Sequence, residues 1–549
     1  MTNKEIANHF RELSQLMELH NDNPFKIRSY SNAYITLRKL DGTVADMDIA
    51  TLSGIKGIGK AIAEKIREVA DTGQIRVLEE FRAKTPPGVR DMLQIAGFGP
   101  KKVLTVWQEL GVESIGELMY AVNENRLIEV KGFGLKTQED LRQKLAYFQL
   151  SQGQYLYARL EAAAQVLCDK LSAALPQAQI ALTGAIRRAA VTLERIELLV
   201  AGAGEAAIKT ASGLDWQATP QGLASQTAEG FPVQIYLCES AEWGSKMFRY
   251  TAADEFMQAF LQAYPTTDFK QLKEEEEVFQ KVSLPWLPPV LRETDWGLGL
   301  AQNNTVPTLI QEEDIQGVIH THTTYSDGIH TLEEMAHYAR AQGYNYIGIT
   351  DHSKAAFYAN GLREDRVLAQ IAEIDRLNEQ FTDFRILKGI ESDILHDGSL
   401  DYPDEILARF DFIIASVHSN LRMEEEKANK RLLAAIENPY TSILGHPTGR
   451  LLLSRPGYPI DHRLIIDACA ANGVAIELNA NPYRLDLDWS WIPYALEKGV
   501  WISINPDAHS REGIHDIHYG VLAASKGGLT RSQCLNALPV SDFLKQIKK

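Results

Sequence analysis

One feature constrains the fold more than any other: seven apolar runs after residue 315, each ending in polar residues capable of chemistry and each separated from the next by a helical pattern. The runs are Val318–His322, Tyr346–His352, Ile386–Glu391, Phe412–His418, Ser442–His446, Val474–Asn479 and Trp501–His509, with helix-type periodicity between them, as in Leu332–Ala341 and Arg366–Gln380. Strands that alternate with helices imply a parallel sheet, because each helical crossover returns the chain to the same end of the sheet. Seven such units predict a (β/α)7 barrel over residues 315–549. Barrels of this kind build their sites at the C-terminal ends of the strands.

Those ends carry His320 and His322, then Asp327 in the following loop, then His352, Glu391, His418 and His446, and last Asp507 and His509. Alternation puts residues i and i+2 on one face of a strand, so His320 with His322, and Asp507 with His509, are expected to converge. An ion takes about four to six ligands, so nine at one rim imply two or three divalent metals sharing bridging groups. Mixed imidazole and carboxylate donors suit Mn²⁺ or Zn²⁺ first, with Fe²⁺ or Mg²⁺ as further options. Histidine usage points the same way, since 12 of the 14 histidines follow residue 315. Clustered divalent ions lower the pKa of bound water and clamp the attacking and leaving oxygens of a phosphoryl displacement. The prediction is metal-assisted hydrolysis of a phosphoester, with Asp327, His352 and Asp507 as the catalytic candidates. Arg484 and Lys354, near the ends of the sixth and second strands, are candidates for neutralising a substrate phosphate. His330, His337, His396, His462, His515 and His518 lie away from strand ends and read as ordinary residues.

The first 150 residues read as helical and repeat a short element three times. The copies are Ile55-Lys56-Gly57-Ile58-Gly59-Lys60, Ile95-Ala96-Gly97-Phe98-Gly99-Pro100-Lys101-Lys102 and Val130-Lys131-Gly132-Phe133-Gly134-Leu135. Two glycines around one apolar anchor allow a tight turn that leaves backbone N–H groups free at a helix N-terminus, where the helix dipole also favours an anion. This pattern resembles the helix-hairpin-helix, which grips the DNA backbone without reading sequence. Charge distribution agrees: residues 1–150 hold 21 Lys+Arg against 20 Asp+Glu, and the remainder holds 35 against 52. A net charge of −16 excludes DNA binding by bulk electrostatics, so contacts must be local.

Between these regions, Ile180–Thr183, Ile196–Ala201 and Val233–Leu237 predict a small sheet. Lys273–Val278 reads as a solvated helix face, and Gln302–Thr305 as part of a linker. No run of about 18 apolar residues occurs, so no membrane span is expected. The polar N-terminus and four scattered cysteines predict a cytoplasmic protein with reduced thiols, and a monomer is expected.

The segment His320-Thr321-His322 through Asp327-Gly328, with the later His, Glu and Asp-x-His positions, resembles the polymerase and histidinol phosphatase (PHP) domain. The resemblance covers residues 315–549 and fills all nine metal-ligand positions of that family. With the hairpins, the small sheet and Leu284–Glu293 (LPWLPPVLRE), which resembles the end of a polymerase thumb, the whole chain is similar to bacterial family X DNA polymerases. That resemblance implies an N-terminal hairpin domain at 1–80, a fingers-like domain at 81–150, a palm at 151–233, a thumb at 234–300, a linker at 301–314 and the PHP domain. It also implies gap-filling synthesis, 3′-to-5′ exonuclease activity and a role in DNA repair.

The palm departs from the family pattern. Where the family has Gly-Ser, an Asp-x-Asp pair and a third Asp, this chain has Gly184-Ala185, Arg195-Ile196-Glu197 and Gln234. Tyr250-Thr251-Ala252-Ala253 likewise departs from the thumb's Thr-Gly-Ser. Nucleotidyl transfer needs clustered carboxylates to hold two Mg²⁺ ions, and Arg195 sits where one would be, within reach of a salt bridge to Glu197. The expectation is a structural palm without polymerase activity, joined to a metal-dependent DNA phosphodiesterase. That domain is expected to act as an exonuclease, with 3′-phosphatase or abasic-site nuclease activity as further options. The alternatives are an intact polymerase/exonuclease, a small-molecule phosphatase of the histidinol-phosphatase type, and a non-catalytic DNA-binding scaffold.

Overall fold

A computed structural model describes the chain except residues 39, 41, 42, 96, 129, 151, 152 and 549. Ala96, in the second hairpin copy, therefore lies outside the described residues. The chain divides into two compact units, Met1–Phe148 and Gln149–Lys549.

The first unit is helical, and its three glycine pairs are used alike. Gly57, Gly97 and Gly132 take φ values of +96°, +78° and +92°, in the left-handed region where a side chain is strained. Ile58, Phe98 and Phe133 between the glycines are buried. Gly59 and Gly99 then cap the helices Lys60–Thr72 and Pro100–Leu110, with no side chain occupying the free N–H groups. Phe98 meets Phe133 edge-on at 6.2 Å between ring centroids, so the second and third hairpins share a core.

The second unit opens with a five-stranded sheet in the order Gln179–Leu182, Ile196–Ala201, Pro232–Cys238, Gly222–Gln226, Gln217–Thr219. The pairing of Ile196–Ala201 with Pro232–Cys238 is parallel and the other pairings are antiparallel. The last two strands, polar and short, escape a reading by apolar runs. A helical layer around Phe248, Phe256, Phe260 and Phe279 follows.

Lys273–Val278 is only in part the solvated face expected of it: Lys273, Glu274 and Glu276 are exposed, whereas Glu275 turns inward. Glu275 is buried and accepts hydrogen bonds from Arg187 at 2.9 and 2.7 Å, and from Arg292. Arg292 is fully buried against the rings of Trp286 and Phe279. A guanidinium taken out of water must be neutralised, and partners so distant in sequence leave no periodic signal. The expected linker is also a packed connection: Asp295–Gln302 is helical, Val306 and Leu309 pack on the preceding helical layer, and Ile310 enters the core of the barrel.

The barrel strands are β1 (Gly317–Thr321), β2 (Tyr346–Ile349), β3 (Arg385–Asp393), β4 (Phe412–Ser416), β5 (Ile443–Leu444), β6 (Ala475–Asn479) and β7 (Ile502–Asn505). They pair in sequence order, all parallel. Ala508 donates to the His320 carbonyl at 3.2 Å and accepts from the His322 amide at 2.8 Å, bringing the two edges together. The result is a nearly closed barrel with helices outside.

Simple alternation does not aim His320. Val318 lies in the helix-facing core and Ile319 in a second cluster with Tyr346, Leu387 and Phe412. Unbroken alternation would thus send His320 toward the helices. The β1–β2 register slips between Val318 and Thr321, and His320 takes φ +68°. This one-residue bulge re-aims the side chain, so that the His320 and His322 rings lie 5.3 Å apart.

Candidate metal centre

All nine predicted ligands meet at the C-terminal mouth of the barrel, and Glu391 is the hub. Its carboxylate lies 2.8 Å from His352 Nδ1, 3.0 Å from both His418 Nε2 and His446 Nε2, 3.3 Å from His320 Nε2 and 3.8 Å from His322 Nε2. Asp507 Oδ1 approaches His322 at 3.0 Å and His320 at 3.4 Å. Asp327 approaches His509 at 3.4 Å, His352 at 3.6 Å and His322 at 3.9 Å. Three overlapping groups are compact enough to hold an ion: His322/Asp327/His352/His509, His320/His322/Glu391 and His352/Glu391/His418.

Electrostatics fits a site built for cations. Burial opposes ionisation of Glu391, Asp327 and Asp507, yet the surrounding imidazoles hold all three well below the usual carboxylate range. Burial pushes His322 down to about 4, assisted by His509 and His352. For His352 burial also works downward, but Asp327 and Glu391 overcome it and raise the group to about 10. Against burial, His320 and His418 are likewise raised by the carboxylates they face, whereas burial pushes His446 down. Several buried donor atoms nevertheless make no hydrogen bond: His320 Nε2, His322 Nδ1, Asp327 Oδ2 and Glu391 Oε2. Buried polar atoms left unmatched are costly, and here they point at one another from ligand types suited to Mn²⁺, Zn²⁺ or Fe²⁺. The donor set fits divalent metal.

A second layer escaped the sequence reading. Glu477 is fully buried and accepts from His320 Nδ1 at 2.7 Å, Asn505 at 2.7 Å, Asn479 at 3.0 Å and the His446 amide at 3.1 Å. A carboxylate behind an imidazole fixes its tautomer and leaves the other nitrogen for metal. Asp393 stands behind His418 in the same way, at 3.3 Å. Asp351 accepts from Thr323, Ser326 and Gln370, pinning the loop that carries Asp327. The available signal was a lone charge inside an apolar run, as at Glu477 in Val474–Asn479.

The two cation candidates differ. Arg484 is buried with Nε 3.7 Å from Asp507 Oδ2, at the cluster. Lys354 is engaged with Glu364 at 2.7 Å and lies over the Tyr402 ring. In the small sheet, Arg195 does not reach Glu197 as expected; it turns outward to Glu194 at 3.7 Å. Glu197 instead accepts from the Tyr236 hydroxyl at 2.7 Å and the Ala185 amide at 3.2 Å, while Gln234 donates to the Ile235 carbonyl and Thr219. Tyr236 fills this place because it projects from the neighbouring strand and stacks on Tyr250 at 3.9 Å. Among the hairpins, Gly57, Gly59, Lys60, Gly97, Gly99, Lys101, Gly132 and Gly134 are exposed and Lys102 half-buried. Among the described residues, no helix is long and apolar enough to cross a membrane.

Known proteins share these parts. Residues 1–75 match the helix-hairpin-helix domain, residues 89–146 the SAM-like helix-hairpin-helix tandem and residues 319–481 the PHP domain. Hairpin unit and metal barrel together define the class: a helix-hairpin-helix protein carrying a metal-dependent PHP domain. The chain belongs to the PolX family, being 32% identical across its whole length to the full DNA polymerase/3′-5′ exonuclease PolX of Bacillus subtilis (strain 168). The barrel region is also similar to probable phosphatases. That of Thermoanaerobacter sp. (strain X514) is 30% identical over 42% of this chain and 94% of its own length. That of Acetivibrio thermocellus is 32% identical over 35% of this chain and 78% of its own.

Proposed function

We propose that this chain is a metal-dependent DNA phosphodiesterase, a 3′-to-5′ exonuclease of DNA repair whose polymerase activity has been lost. The observation that carries the reading is the convergence of six imidazoles and three carboxylates at Glu391, with His320 Nε2, His322 Nδ1, Asp327 Oδ2 and Glu391 Oε2 making no hydrogen bond. Bound divalent metals would supply an activated water and charge stabilisation for phosphoester hydrolysis.

The residues divide the remaining work. His320, His322, Asp327, His352, Glu391, His418, His446, Asp507 and His509 would hold the metals. Glu477 and Asp393 keep His320 Nε2 and His418 Nε2 turned to the cluster. Arg484 neutralises a non-bridging phosphate oxygen beside Asp507. The glycine hairpins, with Lys60, Lys101 and Lys102, hold the DNA backbone through free amides and charge. A finer partition at residues 80, 150, 233, 300 and 314 belongs to the same proposal, as do a monomeric state and a cytoplasmic location. So does Lys354, as a phosphate contact once released from Glu364.

Loss of synthesis is supported by the palm. Two-metal transfer needs several carboxylates together, whereas the single Glu197 is engaged by Tyr236 and Ala185. A second reading, an intact polymerase/exonuclease, is favoured by the name of the full-length Bacillus relative. One assay separates them: a gapped, labelled primer with deoxynucleotides and Mn²⁺, comparing wild type with Asp507→Asn. Shortening that disappears in the variant is expected. Extension would overturn the palm reading, and an unchanged primer with wild type would overturn the nuclease reading.

A further inference from the structure

Arg431 lies on the helix Glu425–Glu437, between β4 and β5, and is buried. Arg292, also buried, is neutralised by Glu275. For Arg431 the hydrogen-bond partners among the described residues are three carbonyls, a hydroxyl and a thioether. Nε donates to the Leu395 carbonyl at 2.8 Å and the Ile394 carbonyl at 3.1 Å. Nη1 donates to the Ser419 carbonyl at 2.8 Å and to Met423 Sδ at 3.6 Å. Nη2 donates to the Ile394 carbonyl and to Ser419 Oγ at 3.3 Å. Burial pushes the pKa of Arg431 down, with Tyr458 and then Asp393 working against it. A buried charge held by dipoles alone is costly, and an apolar side chain would fill the same place on the helix. What the guanidinium adds is its grip.

The two gripped segments serve one predicted ligand. Ser419 follows His418, and Ile394 follows Asp393, the carboxylate behind His418 Nδ1. That backing contact is 3.3 Å, against 2.7 Å for Glu477 behind His320. Asp393 alone therefore holds His418 loosely, and the backbone on either side must do the rest. Before His418, the Ser416 carbonyl is fixed by the Ile394 amide at 2.7 Å. After it, Ser419 and Asn420 are exposed, so burial does not hold the chain there, and Arg431 fixes the Ser419 carbonyl. Ile394 in turn pairs with Leu400 across a hairpin. A Cβ on Gly398, in that hairpin, would lie 2.4 Å from Ala434 Cβ and 2.8 Å from the Arg431 carbonyl. The hairpin is thus seated on the helix that carries Arg431.

We propose that Arg431 is the positioning residue for His418. One planar cation sets the spacing between the imidazole and its backing carboxylate, and with it the affinity of the ion held by His352, Glu391 and His418. The proposal rests on the metal-holding role of His418 given above and extends it to a residue whose own partners include none of the nine ligands.

The test reads metal, not turnover. Full-length wild type, Arg431→Lys, Arg431→Met and His418→Ala are loaded with Mn²⁺ and titrated with a chelator, and the ions retained per chain are counted by elemental analysis. His418→Ala should lose one ion. Arg431→Lys lacks the rigid fork that spans both segments and should hold that same ion about tenfold more weakly. Arg431→Met, with no donor left, should hold it up to about 100-fold more weakly, the range for partners standing behind a ligand. The other ions should be released as in wild type. In the His418→Ala background Arg431→Lys should change metal binding no further, because the two residues act through one contact. Where Arg431→Met fails to fold, Arg431→Lys decides. A merely structural arginine would lower the thermal midpoint of the metal-free chain and leave the release of that ion unchanged, and this result overturns the proposal. Equal weakening of every ion, or further weakening in the His418→Ala background, overturns it too. No metal on wild type, or no ion lost by His418→Ala, removes the ligand reading of His418 and the proposal with it.

Discussion

Glu391 is a single carboxylate approached by five imidazoles, so its charge holds the cluster together. Glu391→Gln keeps the shape and removes the charge. Metal bound after reconstitution, read by elemental analysis, is expected to fall by at least one ion per chain, with nuclease activity lost. Glu477 acts one layer further out. Its removal leaves His320 Nδ1 and Asn505 buried without their acceptor, and outer-layer partners of this kind are worth about 10–100-fold in metal affinity. Glu477→Ala should weaken metal binding by that order in competition against a chelator, and Glu477→Gln, which can still accept from His320, by less. Three of the nine expected ligands, His320, His446 and Asp507, have positive φ, a conformation ordinary side chains avoid and one that clusters at functional sites.

At the scale of elements, the barrel was legible because every strand shows an apolar run, and every strand but β6 ends in or beside an expected metal ligand. The bulge in β1 was not, since a one-residue slip changes aim without changing composition. Glu275 and Arg292 were illegible for another reason, because burial of a charge depends on a partner far along the chain. His518, read as ordinary, is a third case. It joins the helix Tyr157–Ala174, the approach to β1 and the helix Ile517–Lys526 by hydrogen bonds to Glu161 at 2.7 Å and Glu312 at 2.6 Å, beside Tyr519. The Glu161 bond first, and then Glu312, raise His518 to about 9 against the opposing effect of burial. A group raised in the folded state stabilises fully below its unfolded value near 6.5 and loses that contribution as pH climbs through about 9. Thermal denaturation should therefore show a midpoint that declines between pH 6.5 and 9. His518→Gln should lower the midpoint at pH 6.5 and flatten the decline.

The molecule as a whole separates attraction from chemistry. Past residue 150 the chain carries 35 basic against 52 acidic residues, a field that repels DNA from the part that holds the metal cluster. Under the proposed function the near-neutral hairpin unit supplies the affinity locally, with its exposed glycine turns and lysines as the phosphate contacts to be tested. Affinity gained by neutralising phosphates releases counterions, so it falls with salt at about the 0.7 power per phosphate on single strands. Combining Lys60→Ala, Lys101→Ala and Lys102→Ala should therefore raise KM on a long strand, with kcat held, and make log KM less steep in log salt by about 0.7 for each phosphate no longer neutralised. On an oligonucleotide too short to reach the hairpins the triple variant and wild type should behave alike, because the cluster itself is untouched. A fall in kcat with the salt slope preserved would mean that the hairpins shape the reacting end of the DNA instead of holding its backbone.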